Sequence, residues 1–170
     1  MSYQHITINS ILLLALIIAV VTDLKTRKIY DKLTVPVALI GITLNGVFFG
    51  FSGLKNSVIG WVVGVAIFML FGLGGGDVKL MGAVGALKGW LFTLTSIMYI
   101  GIAGGIFVII YLIWKGEMLK TLTNSFNMIF KRSEFKKTET TRMYLPYGPV
   151  ILIGVVWNFL AINYKFLPLF

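Results

Sequence analysis

The chain is 170 residues long, 58% hydrophobic and only 12% charged, against roughly a quarter charged in a typical soluble domain. It cannot stay in water unaided, and it has no room for a membrane domain plus a sizeable soluble one. Cysteine is absent and His5 is the single histidine, which removes disulfides, thiol nucleophiles and thiolate metal sites and argues against Ser-His-Asp and zinc-hydrolase chemistry.

The net charge of +9 would suit nucleic acid, but most basic residues lie in the polar gaps between apolar runs. There they read as cytoplasmic topology signals and contacts to lipid headgroups, so membrane lipids are expected partners and nucleic acid is not. Met1–Ser10 carries no Lys or Arg, and no A-x-A pattern ends the apolar run. The start therefore reads as a retained first span with its N-terminus outside, not as a cleaved signal.

In chain order, span one is expected over Ile6 to Val21, ending at Thr22-Asp23-Leu24. The polar stretch Lys25–Lys32 follows, with three Lys, Arg27 and Asp31. Span two is expected over Thr34 to Phe51, with Pro36 in its first turn, where a missing amide costs little. Ser52 to Asn56 reads as a short connection, and span three as Val58 to Leu73, breaking at Gly74-Gly75-Gly76-Asp77. Next come the short run Val78–Leu87, the long run Trp90–Trp114, the polar segment Lys115–Arg142 and a last span from Pro146 to Ile162.

Parity decides the short run. The basic segments 25–32 and 115–142 both belong on the cytoplasmic side, so an even number of crossings must separate Gly74 from Lys115. Val78–Leu87 then counts as a crossing, or pairs with the long run as an uneven hairpin. As a helix it reaches only ~15 Å, half of a ~30 Å hydrocarbon core, so Asp77 would lie in a wet recess or a thinned bilayer. The expectation is an all-α, single-domain membrane protein over 1–170 with about six transmembrane helices, a short fourth helix and a basic cytoplasmic loop over about 115–142. Within that loop, Leu119, Leu122, Phe126, Ile129 and Phe130 share a helical face. That face suits either an interfacial helix or one packed on the protein; Ser133–Thr141 reads as linker.

Of six acidic residues, Glu117, Glu134 and Glu139 lie in the basic loop, and Asp31 lies between Lys28 and Lys32. Asp23 and Asp77 instead end apolar runs, on the same side in the six-span topology. Ionisable groups at a membrane edge are costly and therefore candidates for function. Two carboxylates sharing a site can activate water and protonate a leaving group without metal or cofactor. The bland alternative pairs Asp23 with Lys25 or Arg27 and Asp77 with Lys79. Gly74-Gly75-Gly76 either caps a helix or leaves space for an extended substrate beside the carboxylate. Gly60 with Gly64, and Gly101 with Gly105, match small-residue spacings that let spans pack closely.

The segment Gly74-Gly75-Gly76-Asp77-Val78-Lys79-Leu80 resembles the G-x-G-D-x-K-L signature of type IV prepilin peptidases. Asp23 with Leu24-Lys25-Thr26-Arg27-Lys28-Ile29 is similar to that family's first catalytic motif, and Pro146-Tyr147-Gly148-Pro149 to the Pro/Gly motif that opens its last span. The resemblance implies an aspartic endopeptidase of the inner (plasma) membrane, with Asp23 and Asp77 catalytic at the cytoplasmic face. Gly74, Gly76, Lys79, Pro146 and Gly148 would shape the site or bind substrate. It implies no cofactor or metal, and a prepilin or pseudopilin partner with a basic leader before an apolar helix.

Two departures from the family pattern stand out. Tyr30-Asp31 replaces the usual Pro-Asn, and Asp31, among lysines, is expected to be solvated. The paired cysteines and N-terminal region of the larger bifunctional members are missing, so N-methyltransfer is not expected, as in short peptidase-only members serving Flp/tight-adherence pili or archaeal preflagellins. A presenilin-like protease, which shares a G-x-G-D motif, fits less well: Asp23 follows Thr22 at a span edge, and no Pro-Ala-Leu occurs. From another class, a small cation- or proton-coupled transporter would also use two membrane-edge aspartates.

Overall fold

The computed structural model describes residues 3–115 and 147–163. These form five helices: α1 (Tyr3–Thr26), α2 (Asp31–Leu70), α3 (Gly75–Lys88), α4 (Trp90–Lys115) and α5 (Tyr147–Asn163). No strand occurs among them. In lipid every backbone amide and carbonyl must be satisfied within its own segment, which makes helix the natural state of such apolar runs. Three segments are long and apolar enough to cross a membrane, Tyr3–Thr26, Asp31–Leu70 and Trp90–Tyr111. Apart from Lys115, which ends α4, the loop expected over about 115–142, with its amphipathic face, and Pro146 lie outside the described residues.

α1 buries one stripe, Ile8, Leu12, Ala15, Leu16, Ala19 and Asp23. The steps of three and four place Asp23 on the same face as the apolar residues, so it turns inward and not toward lipid. The helix stops at Arg27, whose φ of 53° is left-handed and whose amide still donates to the Asp23 carbonyl at 2.7 Å.

α2 runs as helix through Ser52–Asn56, where a connection is expected from sequence, and breaks instead at Gly50 (φ 63°, ψ −151°). A single glycine supplies the reversal because positive φ carries no Cβ penalty there. The chain doubles back: Asn45 Nδ2 lies 3.4 Å from Ser57 Oγ, whereas twelve residues of straight helix would hold them ~18 Å apart. The helix also begins three residues before Thr34, so Pro36 sits beyond the first turn.

α3 lies against both arms of this hairpin. A Cβ on Gly41 would fall 2.9 Å from the Ala86 backbone, and one on Gly64 2.5 Å from the Met81 carbonyl oxygen; Gly60 and Gly85 touch backbone to backbone. Every residue from Leu80 to Leu87 is buried, so this short helix is enclosed by protein and needs no length matched to lipid. Asn45 Nδ2 donates to the carbonyls of Ala86 (3.2 Å) and Leu87 (3.0 Å), and Ser57 Oγ also donates to Ala86. At that end Lys88 Nζ donates to Asn9 Oδ1 at 2.9 Å and lies 4.9 Å from the Phe92 ring centroid. The start of α1 thus meets the end of α3, and the two helices run antiparallel.

α5 packs on α4. Gly154 lies on Ile100 and Gly104 on Val150. Asn158 Nδ2, buried, lies 2.8 to 3.1 Å from the Phe92 carbonyl, Thr95 Oγ1 and Ser96 Oγ. Gly101 and Gly105, by contrast, have nothing within 4 Å of a built Cβ. The small-residue spacing therefore marks a close approach at Gly60 and Gly64 but not on α4.

Candidate active site

The end of α1, the start of α2, the start of α3 and the start of α5 enclose an open cleft of about 650 Å³. Its lining includes Asp23, Asp31 and Asp77, so every acidic side chain among the described residues faces one cleft. Arg27, Lys28 and Lys32 line it as well. His5 stands apart at the far end of α1, its ring 5.5 Å from that of Phe49.

Asp23 is only 7% exposed. Its Oδ2 accepts a hydrogen bond from the Gly148 main-chain amide at 2.9 Å. A Cβ at position 148 would lie 2.7 Å from that oxygen, so glycine is what lets α5 start against the carboxylate. Asp77 belongs to the first turn of α3, outside the three long apolar segments. Burial first, and then the charge of Asp23, push its carboxyl up from 3.8 to about 6. A carboxyl in such surroundings holds a proton that an isolated aspartate would have lost.

The glycine run divides into different tasks. A Cβ on Gly76 would lie 3.0 Å from the Ile29 side chain and 3.3 Å from its carbonyl oxygen, and one on Gly74 3.0 Å from Asp77 Oδ2. Gly75, not among the residues that the resemblance implies, lines the cleft with nothing within 4 Å of a built Cβ. Only the structure separates the three, because neighbouring glycines look alike until their surroundings are known. Ile29, Tyr30 and Tyr147 also line the cleft; Ile29 and Tyr147 lie within the family-like motifs and Tyr30 directly after one, but the sequence singles out none of them as a site residue.

Lys79 does not meet Asp77. Its Nζ lies 2.7 Å from both carboxylate oxygens of Asp31, and among the described residues neither Asp23 nor Asp77 takes part in an ion pair. The bland pairing of these two aspartates with neighbouring cations is therefore absent from the structure. No group of three His, Cys, Asp or Glu side chains among the described residues is arranged to hold a metal ion. Chemically, the cleft offers two carboxyl groups in unlike surroundings, one buried and hydrogen-bonded to a fixed amide and one whose ionisation is made harder by burial and by its neighbour.

Comparison with known proteins bears on the same residues. A prepilin leader peptidase/N-methyltransferase of Escherichia coli (strain K12) is 36% identical over 97 residues, covering 51% of this chain and 42% of that protein. One from Pectobacterium carotovorum subsp. carotovorum is 27% identical over 159 residues, covering 87% of this chain and 49% of its own length. A third, from Burkholderia pseudomallei (strain 1026b), is 33% identical over 107 residues, 56% of this chain and 34% of the relative. The chain thus spans less than half the length of the curated relatives it matches. No solved structure matches. The type IV leader peptidase family matches residues 10–109, more than half of the chain and a stretch that holds both Asp23 and Asp77, so this protein belongs to the type IV leader peptidase family.

Proposed function

We propose that the chain is a membrane aspartic endopeptidase that removes the basic leader from type IV prepilin-like substrates at the cytoplasmic membrane face, with Asp23 and Asp77 as its catalytic pair. The observation that carries this reading is that the two aspartates line one open cleft and, among the described residues, no cation is paired to either. One carboxylate takes a proton from water as the oxygen attacks the scissile carbonyl, and the other carboxyl gives its proton to the departing amine. Net, water is added across the peptide bond and no cofactor or metal is consumed.

The cleft lies where two long apolar segments end or begin. An apolar substrate helix can stay in the bilayer while its polar leader reaches the carboxyls. Gly75 leaves backbone space beside Asp77 for an extended segment, which a peptide bond must adopt to be attacked. In the proposed topology α1, the two arms of α2, the Val78–Leu87 stretch of α3, α4 and α5 make six passes through the inner membrane. The N-terminus is then outside, and Asp23 and Asp77 stand at the cytoplasmic edge.

The test is cleavage of a co-expressed prepilin, read as a mobility shift, by wild type, Asp23→Asn and Asp77→Asn. Shortening by wild type alone, with all three proteins present in the membrane, supports the reading. Cleavage that survives both substitutions overturns it. Proton or cation flux in liposomes without cleavage would favour a transporter.

A further inference from the structure

We propose that Asp31 and Lys79 act as a positioning pair, whose ion pair fastens the start of α2 to the start of α3 and thereby sets where Asp77 stands against Asp23. The inference rests on the endopeptidase reading and adds two residues that do not themselves perform the chemistry.

What holds α3 changes along its length. Deep in the protein α3 is gripped by Gly41, Gly60 and Gly64 of α2. At the cleft mouth the grip is far weaker. α3 has no side-chain N-cap, Gly72 and Gly75 have nothing within 4 Å of a built Cβ, and the nearest atoms to one on Gly76 belong to Ile29, so the apolar packing there comes from partly buried Leu73 and Val78. The one ion pair there among the described residues is made by Lys79, two residues past Asp77, reaching Asp31 across 48 residues of sequence. Asp31 in turn follows Asp23 through the non-helical residues 28–30. The pair therefore joins the two aspartates by a short path that runs from Asp23 along the chain to Asp31, across to Lys79 and back to Asp77.

Electrostatics favours this pairing over the neighbouring cations. A carboxylate in the first turn of α2 is favoured by the helix dipole, while an ammonium near the start of α3 is not; the acid opposite offsets that. Both side chains are well exposed, 49% for Lys79 and 62% for Asp31, so the pair adds little to overall stability. It can still shift the population of a loosely held turn, and small misplacements of a catalytic group reduce rate steeply.

The test measures kcat and KM on a purified prepilin substrate in detergent for wild type, Asp31→Asn, Lys79→Gln and the charge-swapped double variant Asp31→Lys/Lys79→Asp. Asp77→Asn serves as the control for the parent reading. Expected is a fall in kcat of about fivefold in each single variant, the scale an exposed pair supports, with KM and the thermal midpoint unchanged. The swapped pair should return to within about threefold of wild type, because attraction is restored with a less favourable dipole arrangement. Raising salt from about 0.05 to 0.5 M should lower wild-type kcat toward the single variants and leave theirs flat. Unchanged kcat in both single variants overturns the inference alone. A rise in KM for Asp31→Asn that the swap worsens also overturns it, showing that Asp31 binds the basic leader directly. Cleavage by Asp77→Asn overturns this inference and the endopeptidase reading together.

Discussion

The main-chain amide of Gly148 donates to Oδ2 of Asp23 at 2.9 Å, so the carboxylate that ends α1 is held by the first turn of α5. The contact joins residues 125 apart in sequence. It fixes one carboxylate oxygen, while the other has no hydrogen-bond partner among the described residues. A side chain at 148 would occupy the space the carboxylate now fills.

Gly148→Ala tests that relationship. The added Cβ would lie 2.7 Å from Asp23 Oδ2 and 3.1 Å from its Cβ, and α5 or the carboxylate must shift. A displacement near 1 Å costs on the order of 10²-fold in rate. Prepilin cleavage should fall by about that factor while the protein still accumulates in the membrane; wild-type turnover would show that the amide does not position Asp23.

The surroundings of Asp77 predict a pH-dependent stability. Its carboxyl is raised to about 6 in the folded chain, so ionising it is harder folded than unfolded. The sign follows: folding loses stability as pH rises from about 4 to about 6, and the loss persists above. Asp77→Asn removes that penalty. Thermal unfolding in detergent should show the variant more stable than wild type near pH 8 and equal to it near pH 3.5. Equal midpoints at both pH values would show that Asp77 is not held in a desolvated, acid-facing site.

The packing of α3 predicts where glycine is indispensable. Gly64→Val would drive a Cβ to 2.5 Å from the Met81 carbonyl oxygen and push α3, with Asp77, away from α2. Overpacking of this kind costs about 1–3 kcal/mol or more, so the amount of folded protein in the membrane and its thermal midpoint should both drop. Gly101→Ala, on α4 with open space around it, should change neither. Similar losses in the two variants would sink the close-packing account.

Asn158 predicts a change in stability without a change in chemistry. Its amide joins α5 to the Phe92 carbonyl and to Thr95 and Ser96, about three helical turns from Gly148. Interhelical hydrogen bonds of this kind contribute about 0.6–1.7 kcal/mol. Asn158→Leu should lower the thermal midpoint by a corresponding few degrees, with kcat unchanged; a matching loss in kcat would mean that the contact reaches the cleft.

Much of this protein is legible from its sequence because the governing patterns are local. Apolar runs fix which segments are helical, since a backbone in lipid has few other ways to satisfy its amides. The inward turn of Asp23 is not among these local patterns: α1 is apolar all round, with Leu14 and Ile17 exposed, and only packing selects the face Asp23 shares with Leu12, Leu16 and Ala19. The glycines before Asp77 and Gly148 near the last helix are visible as residues that no apolar span requires. The turn of the α2 hairpin is harder to see: Ser52–Asn56 looks like a connection by polarity, yet helix continues through it and the reversal falls on Gly50, whose neighbours are all apolar.

By itself, the sequence determined that the chain enters a membrane as helices, that two aspartates end apolar runs, and that thiol and multi-histidine chemistry are closed to it. Only the tertiary structure decided that α3 is enclosed by protein, that Asp31 and not Asp77 takes Lys79, and that Gly75, not its neighbours, faces open space. Composition and periodicity act within a few turns of chain. Which side chain meets which across 48 or 125 residues depends on how the helices pack, and that packing is set by all their faces together.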